Sequence, residues 1–304
     1  MLEECIQGLN IKPDGIYVDG TMGGAGHSIQ IINKLSKNGI LIGIDRDEEA
    51  LIASQERLKQ FQNVKYIHDN HDNIKQILEK LDIEKVDGIL LDLGVSSYQL
   101  DERNRGFSYL GENKLDMRMD LNGSLTAYDI VNNYSLEQLI KIFKEYGEEK
   151  YSYSIAKNIV KSRENKKIET TFDLVEIIKK SKPEFELRKP GHPAKQVFQA
   201  LRIEVNDELN VLKEALNKCL DLLNLNGRIA VITFHSLEDR IVKNIFKERT
   251  VVEGNRLNDY KMPSEEDLPK FKLINRKVIV ASEEELELNH RAKSAKLRII
   301  EKVR

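Results

Sequence analysis

An α/β architecture, with a mostly parallel sheet and a helical domain inserted into it, follows from three features of the chain. Short runs rich in Val and Ile alternate with helical-looking segments near the amino end, the rhythm breaks after Leu93, and it resumes around residue 228. Near-continuous apolar runs mark strands buried on both faces, which is how helices cover a parallel sheet.

Strands are expected at residues 16–18, 40–44, 64–67 and 88–91, and later at 228–234. Ile29, Ile32 and Leu35 recur at helical spacing after the first of these, and Ala50, Leu51 and Leu58 do so after the second. Residues 95 to about 120 are rich in Gly, Ser, Asn and charge without a clean period, the pattern of a long ordered loop or lid. Helices follow. Ser135 with Gln138 caps a segment carrying Leu136, Leu139, Ile140 and Phe143; Ile155 and Ile159 mark a second; Thr170 with Asp173 opens a third carrying Leu174, Val175 and Ile178. A further helix holds Val211, Leu212, Ala215, Leu216, Cys219, Leu220 and Leu223 ahead of the resumed strand, and residues 271–280 with 295–301 supply a terminal antiparallel pair. The boundaries read this way are 1–107 and 207–304 for the two parts of the sheet domain, and 108–206 for the loop and helical insert.

With 304 residues the chain needs no cross-links or structural metal to fold. Its two cysteines, Cys5 and Cys219, make neither a disulfide framework nor a cysteine-rich zinc site, which predicts a reducing, cytoplasmic location. No stretch of about 18 apolar residues occurs, and Glu3 and Glu4 stand where a secretory leader would carry positive charge, so neither membrane spanning nor secretion is expected. The 48 Lys and Arg against 50 Asp and Glu give a net charge of -2, so any nucleic-acid contact has to be a local patch. Two stretches qualify. Residues 154–182 hold 8 basic against 4 acidic residues, including Lys157, Lys161, Arg163, Lys166 and Lys167, and residues 289–304 hold 6 basic residues against Glu301 alone, including Arg291, Lys293, Lys296 and Arg298. Such patches attract a phosphate backbone with little base specificity.

The segment Asp19-Gly20-Thr21-Met22-Gly23-Gly24-Ala25-Gly26-His27 directly follows the first strand. Its glycines permit a tight turn and let backbone N–H groups approach a ligand. Asp45 ends the second strand 22 residues beyond Gly23, placed to accept hydrogen bonds from a ribose hydroxyl pair. A nicotinamide dinucleotide would want a third glycine where Ile29 stands, and the carboxylate of Asp19 suits an ammonium or sulfonium better than a phosphate. The pattern therefore favours S-adenosylmethionine, with Gly23, Ala25, Gly26 and His27 around it. His71, after the third strand, is placed to meet the adenine, and Asp92 ends the fourth strand where open sheets put ligands.

A methyl sulfonium is already activated, so an enzyme using it has to align the attacking atom and exclude water. The run Asp92-Leu93-Gly94-Val95-Ser96-Ser97-Tyr98-Gln99 supplies short acceptors for an exocyclic amine and a ring to stack on a base. On this reading Asp92 and Ser96 or Ser97 orient the amine and Gln99 holds the cofactor; the competing reading makes the serines caps of a turn. Leu115, Met117 and Met119, alternating with Asp116, Arg118 and Asp120, would pin a lid onto the crevice; a short buried strand with salt-bridged ends has the same pattern. His235, at the end of the resumed strand, would face the crevice, with Ser236 and Asp239 capping the helix after it. No nucleophile elbow surrounds Ser236, and His192, His235 and His290 form no ligand cluster, so neither a hydrolase triad nor a metal site is expected. The stiff run from Lys189 through Pro190, Gly191, His192 and Pro193 to Lys195 would aim His192 or Lys195 at substrate.

Together these motifs resemble the bacterial small-subunit ribosomal RNA methyltransferases that modify the N4 atom of a cytidine near the decoding centre. The resemblance rests on residues 19–28 and 88–97, Arg105-Gly106-Phe107-Ser108, residues 115–120, His192-Pro193-Ala194, Phe198-Gln199-Ala200-Leu201-Arg202, and residues 234–243 and 291–298, and it spans nearly the whole chain. It implies a Rossmann-like class I methyltransferase, a donor site drawn from Ala25, Gly26, His27, Asp45, His71, Asp92 and Gln99, and a helical insert that helps hold RNA in an assembled small subunit. Three positions depart from the family. The family usually has a short leading segment with a His and a Val-Leu pair before the first helix, and the start Met1-Leu2-Glu3-Glu4 raises the expectation of a missing or shortened leader; His71 stands where Phe is frequent; and Gln196 stands where Arg is common.

Three other readings compete. A DNA or protein amine methyltransferase would usually carry a Pro-Pro aromatic turn after Asp92, where this chain has Gly94-Val95-Ser96-Ser97. A nicotinamide-dependent oxidoreductase is disfavoured by Ile29. An RNA-binding assembly protein with an inactive nucleoside pocket would bind without methyl transfer. An apolar helix face would also serve a homodimer.

Overall fold

A computed structural model of the chain describes residues 1–96, 99, 105–251 and 268–304. They form two compact units, one of residues 1–94 with 209–304 and one of residues 95–208.

The first unit is built on a sheet with strand order β3-β2-β1-β4-β5-β8-β6 and with β7 also pairing with β8. β1 (Ile16–Asp19), β2 (Ile40–Asp45), β3 (Val64–His68), β4 (Val86–Asp92) and β5 (Leu223–Thr233) are parallel. β8 (Lys296–Lys302) is antiparallel to β5, and β6 (Phe271–Leu273) and β7 (Ile279–Val280) are antiparallel to β8. Side chains alternate across each strand. Val18, Ile42, Ile44, Ile89, Leu91, Ile229 and Val231 enter the core on one face, whereas Tyr17, Leu41, Leu90, Ala230 and Ile232 enter the core on the other. Because both faces are covered, alternation is invisible as polarity and the strands read as apolar runs.

Helices α1 (Leu2–Leu9), α2 (Gly26–Ile32) and α3 (Glu48–Arg57) supply Cys5, Leu9, Ile31 and Leu51 to one core. The other receives Ile77 and Leu78 from α4 (Ile74–Lys80), with Leu216 and Leu220 from the helix Glu208–Asp221, and Val242 and Phe246 from the helix Ser236–Arg249. The expected terminal pair is instead three strands. Residues 271–280 split into β6 and β7 because Asn275 interrupts the ladder: its amide donates to the carbonyls of Lys277 and Leu297 and accepts from the N–H of Ile299.

The second unit holds α5 (Ala127–Asn133), α6 (Leu136–Glu145), α7 (Ser152–Asn165), α8 (Thr171–Lys180), α9 (Glu184–Leu187) and α10 (Lys195–Asn206), packed around Leu139, Phe143, Ile155, Ile159, Ile178 and Leu201. Capping boxes open α6 at Ser135 and Gln138 and α8 at Thr170 and Asp173; a third, unforeseen from sequence, opens α5 at Thr126 and Asp129.

The lid expectation for residues 115–120 does not hold. Leu115, Met117 and Met119 are buried in the core of the helical unit itself. Arg118 pairs with Asp116 at 2.7 Å and donates to the carbonyls of Leu121 and Gly123, which turns the charged side chains back onto their own loop. Asn206 ties the segment to α10 by accepting from Met119 N–H and donating to Met117 C=O, both at 2.8 Å. Arg105 donates to the carbonyls of Arg118 and Met119, and Phe107 is buried in the same core. The described residues 95, 96, 99 and 105–107 therefore lie with the helical unit, not with the sheet as a boundary at 107 implies.

Candidate active site

The carboxyl ends of β2, β1 and β4 are neighbours in the sheet, and their last residues are Asp45, Asp19 and Asp92. In register, Asp19 pairs with Gly43 on one side and Leu90 on the other, so Asp45 and Asp92 each extend two residues past it. With strands about 4.8 Å apart, three carboxylates end on one rim of the sheet.

The loop between β1 and α2 is fastened at every turn. Gly20 N–H donates to Leu90 C=O and Met22 N–H to Ile44 C=O, while Thr21 Oγ1 accepts from Asp92 N–H at 2.7 Å. Gly23 has φ of 49° and Ala25 has φ of 58°, left-handed positions that turn the chain into α2. The Met22 side chain fills the space over Gly43, where a Cβ would lie 2.1 Å from its sulfur. At Gly24 and Gly26, by contrast, an added Cβ would meet nothing within 4 Å, so the loop leaves open space on its outer side.

Each carboxylate has its own environment. Asp45 accepts from Gly23 N–H at 2.7 Å and from Asp47 N–H at 2.9 Å, and burial raises its pKa against those hydrogen bonds. Asp19 is only 1% exposed; its oxygens take the Ser28 hydroxyl at 2.6 Å and Thr21 N–H at 3.3 Å, and burial pushes it up to about 6. Both oxygens are thus engaged inside the loop, which makes Asp19 a brace where the sequence had it facing a ligand. Asp92 differs: burial raises it to about 7, helped by Glu238 and opposed by the Met1 amino group, and its Oδ1 is buried without a hydrogen-bond partner. Its Oδ2 lies 3.4 Å from Nδ1 of His27, whose Nε2 is also buried without a partner.

His71 opens a short 3-10 turn after β3. Burial, with Arg46 nearby, lowers its pKa to about 3, and its Nε2 has no partner. A ring that stays uncharged through the neutral range presents a flat, uncharged face.

The remaining expected residues are placed otherwise. Ser96 Oγ accepts from Gln99 N–H while Gln99 Oε1 accepts from Ser96 N–H, both at 3.1 Å, so the two side chains cap their own turn. Ser97 and Tyr98 lie outside the described residues. His235 is the N-cap of the helix Ser236–Arg249: its Nδ1 accepts from Glu238 N–H, and the buried Glu238 carboxylate accepts from the N–H groups of Phe234 and His235. It displaces Ser236 and Asp239 from the capping role, and Asp239 instead pairs with Arg298 at 2.7 Å and Lys296 at 3.3 Å. His192 stacks on Tyr109 with ring centroids 4.3 Å apart, and its Nδ1 accepts from Ala194 N–H.

Several contributors to the rim carry no sequence signal of their own. Thr21 and Ser28 hold Asp92 and Asp19, Ser54 on α3 donates to Gly23 C=O at 2.5 Å, and Arg57 donates to Gly24 C=O at 2.7 Å. Only the i, i+3 spacing of Ser54 and Arg57 on one helix face hints that they act together.

The basic stretches are thinned by internal use. Arg163 donates to the carbonyls of Val131 and Tyr134, Lys182 pairs with the buried Glu149, and Lys179 pairs with Glu176. Lys157, Lys161, Lys166 and Lys167 remain exposed, with no ion pair among the described residues.

A rim of three strand-end carboxylates, an open glycine loop, and unpartnered buried polar atoms on Asp92, His27 and His71 fits a nucleoside ligand that carries a cationic end. That architecture is a class I methyltransferase, whose methyl donor is S-adenosylmethionine. The chain belongs to the MraW methylase family, whose model matches residues 1–303. It is 51% identical over 306 residues to the ribosomal RNA small subunit methyltransferase H of Clostridioides difficile strain 630, covering 100% of this chain and 97% of that protein. The proteins of the same name from Clostridium botulinum strain 657 and Streptococcus mutans UA159 are 53% and 52% identical over 307 residues, covering 100% of this chain and 97% and 96% of theirs. A solved rRNA methylase structure from Streptococcus thermophilus aligns with 100% of this chain and 94% of its own at 13% identity and a TM-score of 0.44.

Proposed function

We propose that this chain transfers a methyl group from S-adenosylmethionine to the exocyclic N4 amine of a cytidine in small-subunit ribosomal RNA. The observation that carries the reading is the unequal treatment of the rim carboxylates. Asp19 and Asp45 are held by loop donors, while Asp92 keeps a buried oxygen free. Relatives above 50% identity, matched over 96–97% of their length, bear the ribosomal RNA small subunit methyltransferase name, which supports the substrate class.

The residues divide the work by their chemistry. Asp45 keeps a lone pair on each oxygen for a ribose hydroxyl pair while its other lone pairs fix Gly23 and Asp47. The neutral His71 ring lies on the adenine side. Gly23, Ala25, Gly26 and His27 line the donor, with Gly24 and Gly26 leaving room for close backbone approach. Bound there, the cofactor supplies an activated methyl electrophile. Asp92 accepts an N–H of the attacking amine, which directs its lone pair, and stands ready for the proton that the methylated amine sheds. Lys157, Lys161, Lys166 and Lys167 hold the RNA backbone electrostatically. The reaction takes place in the cytoplasm, on RNA in an assembled small subunit; among the described residues no helix is long and apolar enough to cross a membrane.

The test offers methyl-labelled S-adenosylmethionine to unmodified small subunits and maps the label by nucleoside. Label on a cytosine exocyclic amine is the expected result. Label on ring C5 or on ribose overturns the reaction, and tight binding without transfer favours an assembly protein.

A further inference from the structure

We propose that His27 is a positioning residue, whose Nδ1–H holds Asp92 Oδ2 so that the carboxylate keeps one orientation and offers Oδ1 to its ligand. This rests on the reading of Asp92 above and adds a role that the glycine-loop motif does not itself require.

Both partners are mounted on one rigid piece of backbone. Asp92 N–H is bonded to Thr21 Oγ1, and His27 lies in the first turn of α2 between two fastenings, Ala25 N–H to Met22 C=O and Ser28 Oγ to Asp19. The ring nitrogen and carboxylate oxygen are 3.4 Å apart, with side chains 18% and 30% exposed, a separation that a bound ligand tightens into a full hydrogen bond. Burial lowers the His27 pKa against the pull of Asp19, and at pH 8, above even the ordinary histidine value, the ring is neutral and carries one N–H. Facing a carboxylate through Nδ1, it places that hydrogen on Nδ1 and leaves Nε2 as a bare acceptor.

The pair then presents two acceptors and no donor, His27 Nε2 and Asp92 Oδ1, each buried without a partner. Such a surface takes an ammonium or an amine N–H and rejects phosphate and carboxylate, since a buried acceptor opposite another acceptor leaves both unsatisfied. The titratable groups that face the pair are Asp19 toward His27, Glu238 toward Asp92, the Met1 amino group toward both, and the Cys5 thiol, which burial keeps protonated.

The test uses the whole chain without RNA. At pH 8, nitrogen NMR of His27 is expected to show Nδ1 protonated and Nε2 bare; the reverse tautomer overturns the proposal. His27→Ala removes the donor, so the Asp92 carboxyl, followed by carbon NMR, should titrate upward by roughly 0.5–1 pH unit. His27→Asn places an amide donor where Nδ1 stands and should restore most of that shift, while His27→Gln, whose amide reaches the Nε2 position, should not. The low-pH limb of the turnover profile should move in the same order. An Asp92 titration unchanged in His27→Ala also overturns the proposal. If that variant fails to fold, the tautomer in the unaltered protein still decides. Should RNA methylation map elsewhere than a cytosine amine, the proposed function fails while these RNA-free readouts stand.

Discussion

Asp92 pairs usefulness with a cost to folding. Its folded pKa of about 7 lies above the ordinary carboxylate value near 3.8, so the native state binds the extra proton. Its contribution to stability is full below about pH 4 and is lost as pH rises through about 7. Asp92→Asn removes a buried charge, and unfolding curves at pH 8 should show the variant more stable by roughly 1–3 kcal/mol, with little difference at pH 4. Turnover of the same variant should fall by about 100-fold or more, as expected for a group directing the nucleophile. A variant equally stable at both pH values would contradict the burial argument. Gly43 makes a second residue-scale case. A Cβ there would sit 2.1 Å from Met22 Sδ and 3.1 Å from its Cγ, so the whole side chain has to move. Gly43→Ala should cost about 1–3 kcal/mol in denaturant titration, and adding Met22→Ala should return part of it.

At the scale of elements, what the sequence discloses depends on where an element's energy comes from. β1, β2, β4 and β5 were legible because burial on both faces writes itself as apolar runs, and α6 and α8 because Ser135/Gln138 and Thr170/Asp173 act within four residues. The short β6 and β7 were not, since Asn275 splits them through bonds to a strand more than twenty residues away. His235 looked like a site residue because it ends a central strand, yet its partner is the N–H of Glu238 one turn on. As an N-cap, it should be replaceable by Asn, which accepts the same N–H: His235→Asn should hold stability within about 0.5 kcal/mol, and His235→Ala should lose about 1–2 kcal/mol by urea unfolding. If His235→Asn folds normally but loses turnover, the side chain has a role beyond the cap. The three strand-end carboxylates could be read in advance because parallel topology alone brings them to one rim. The internal engagement of Asp19 and the mutual capping of Ser96 and Gln99 could not, since they depend on backbone turns that residue type does not fix.

For the whole molecule, net charge near zero hides a division of labour. Much of the apparent basic surplus in residues 154–182 is spent inside the helical unit by Arg163, Lys179 and Lys182, leaving Lys157, Lys161, Lys166 and Lys167 exposed. If these carry the RNA backbone, binding of a small-subunit RNA fragment should weaken linearly on a log-log plot against salt, and replacing Lys157 and Lys161 by Ala should flatten the slope by about 0.7–0.9 per lysine. An unchanged slope would remove this face from the RNA contact. The proposed activity depends on the rim formed by β2, β1 and β4. The structure of a complex with S-adenosylhomocysteine tests it most directly: the ribose hydroxyls should meet the Asp45 carboxylate, with the Gly23 to His27 turn against the ligand and Asp92 facing its sulfur. A nucleoside bound elsewhere on the chain, leaving Asp45 and Asp92 untouched, would contradict it.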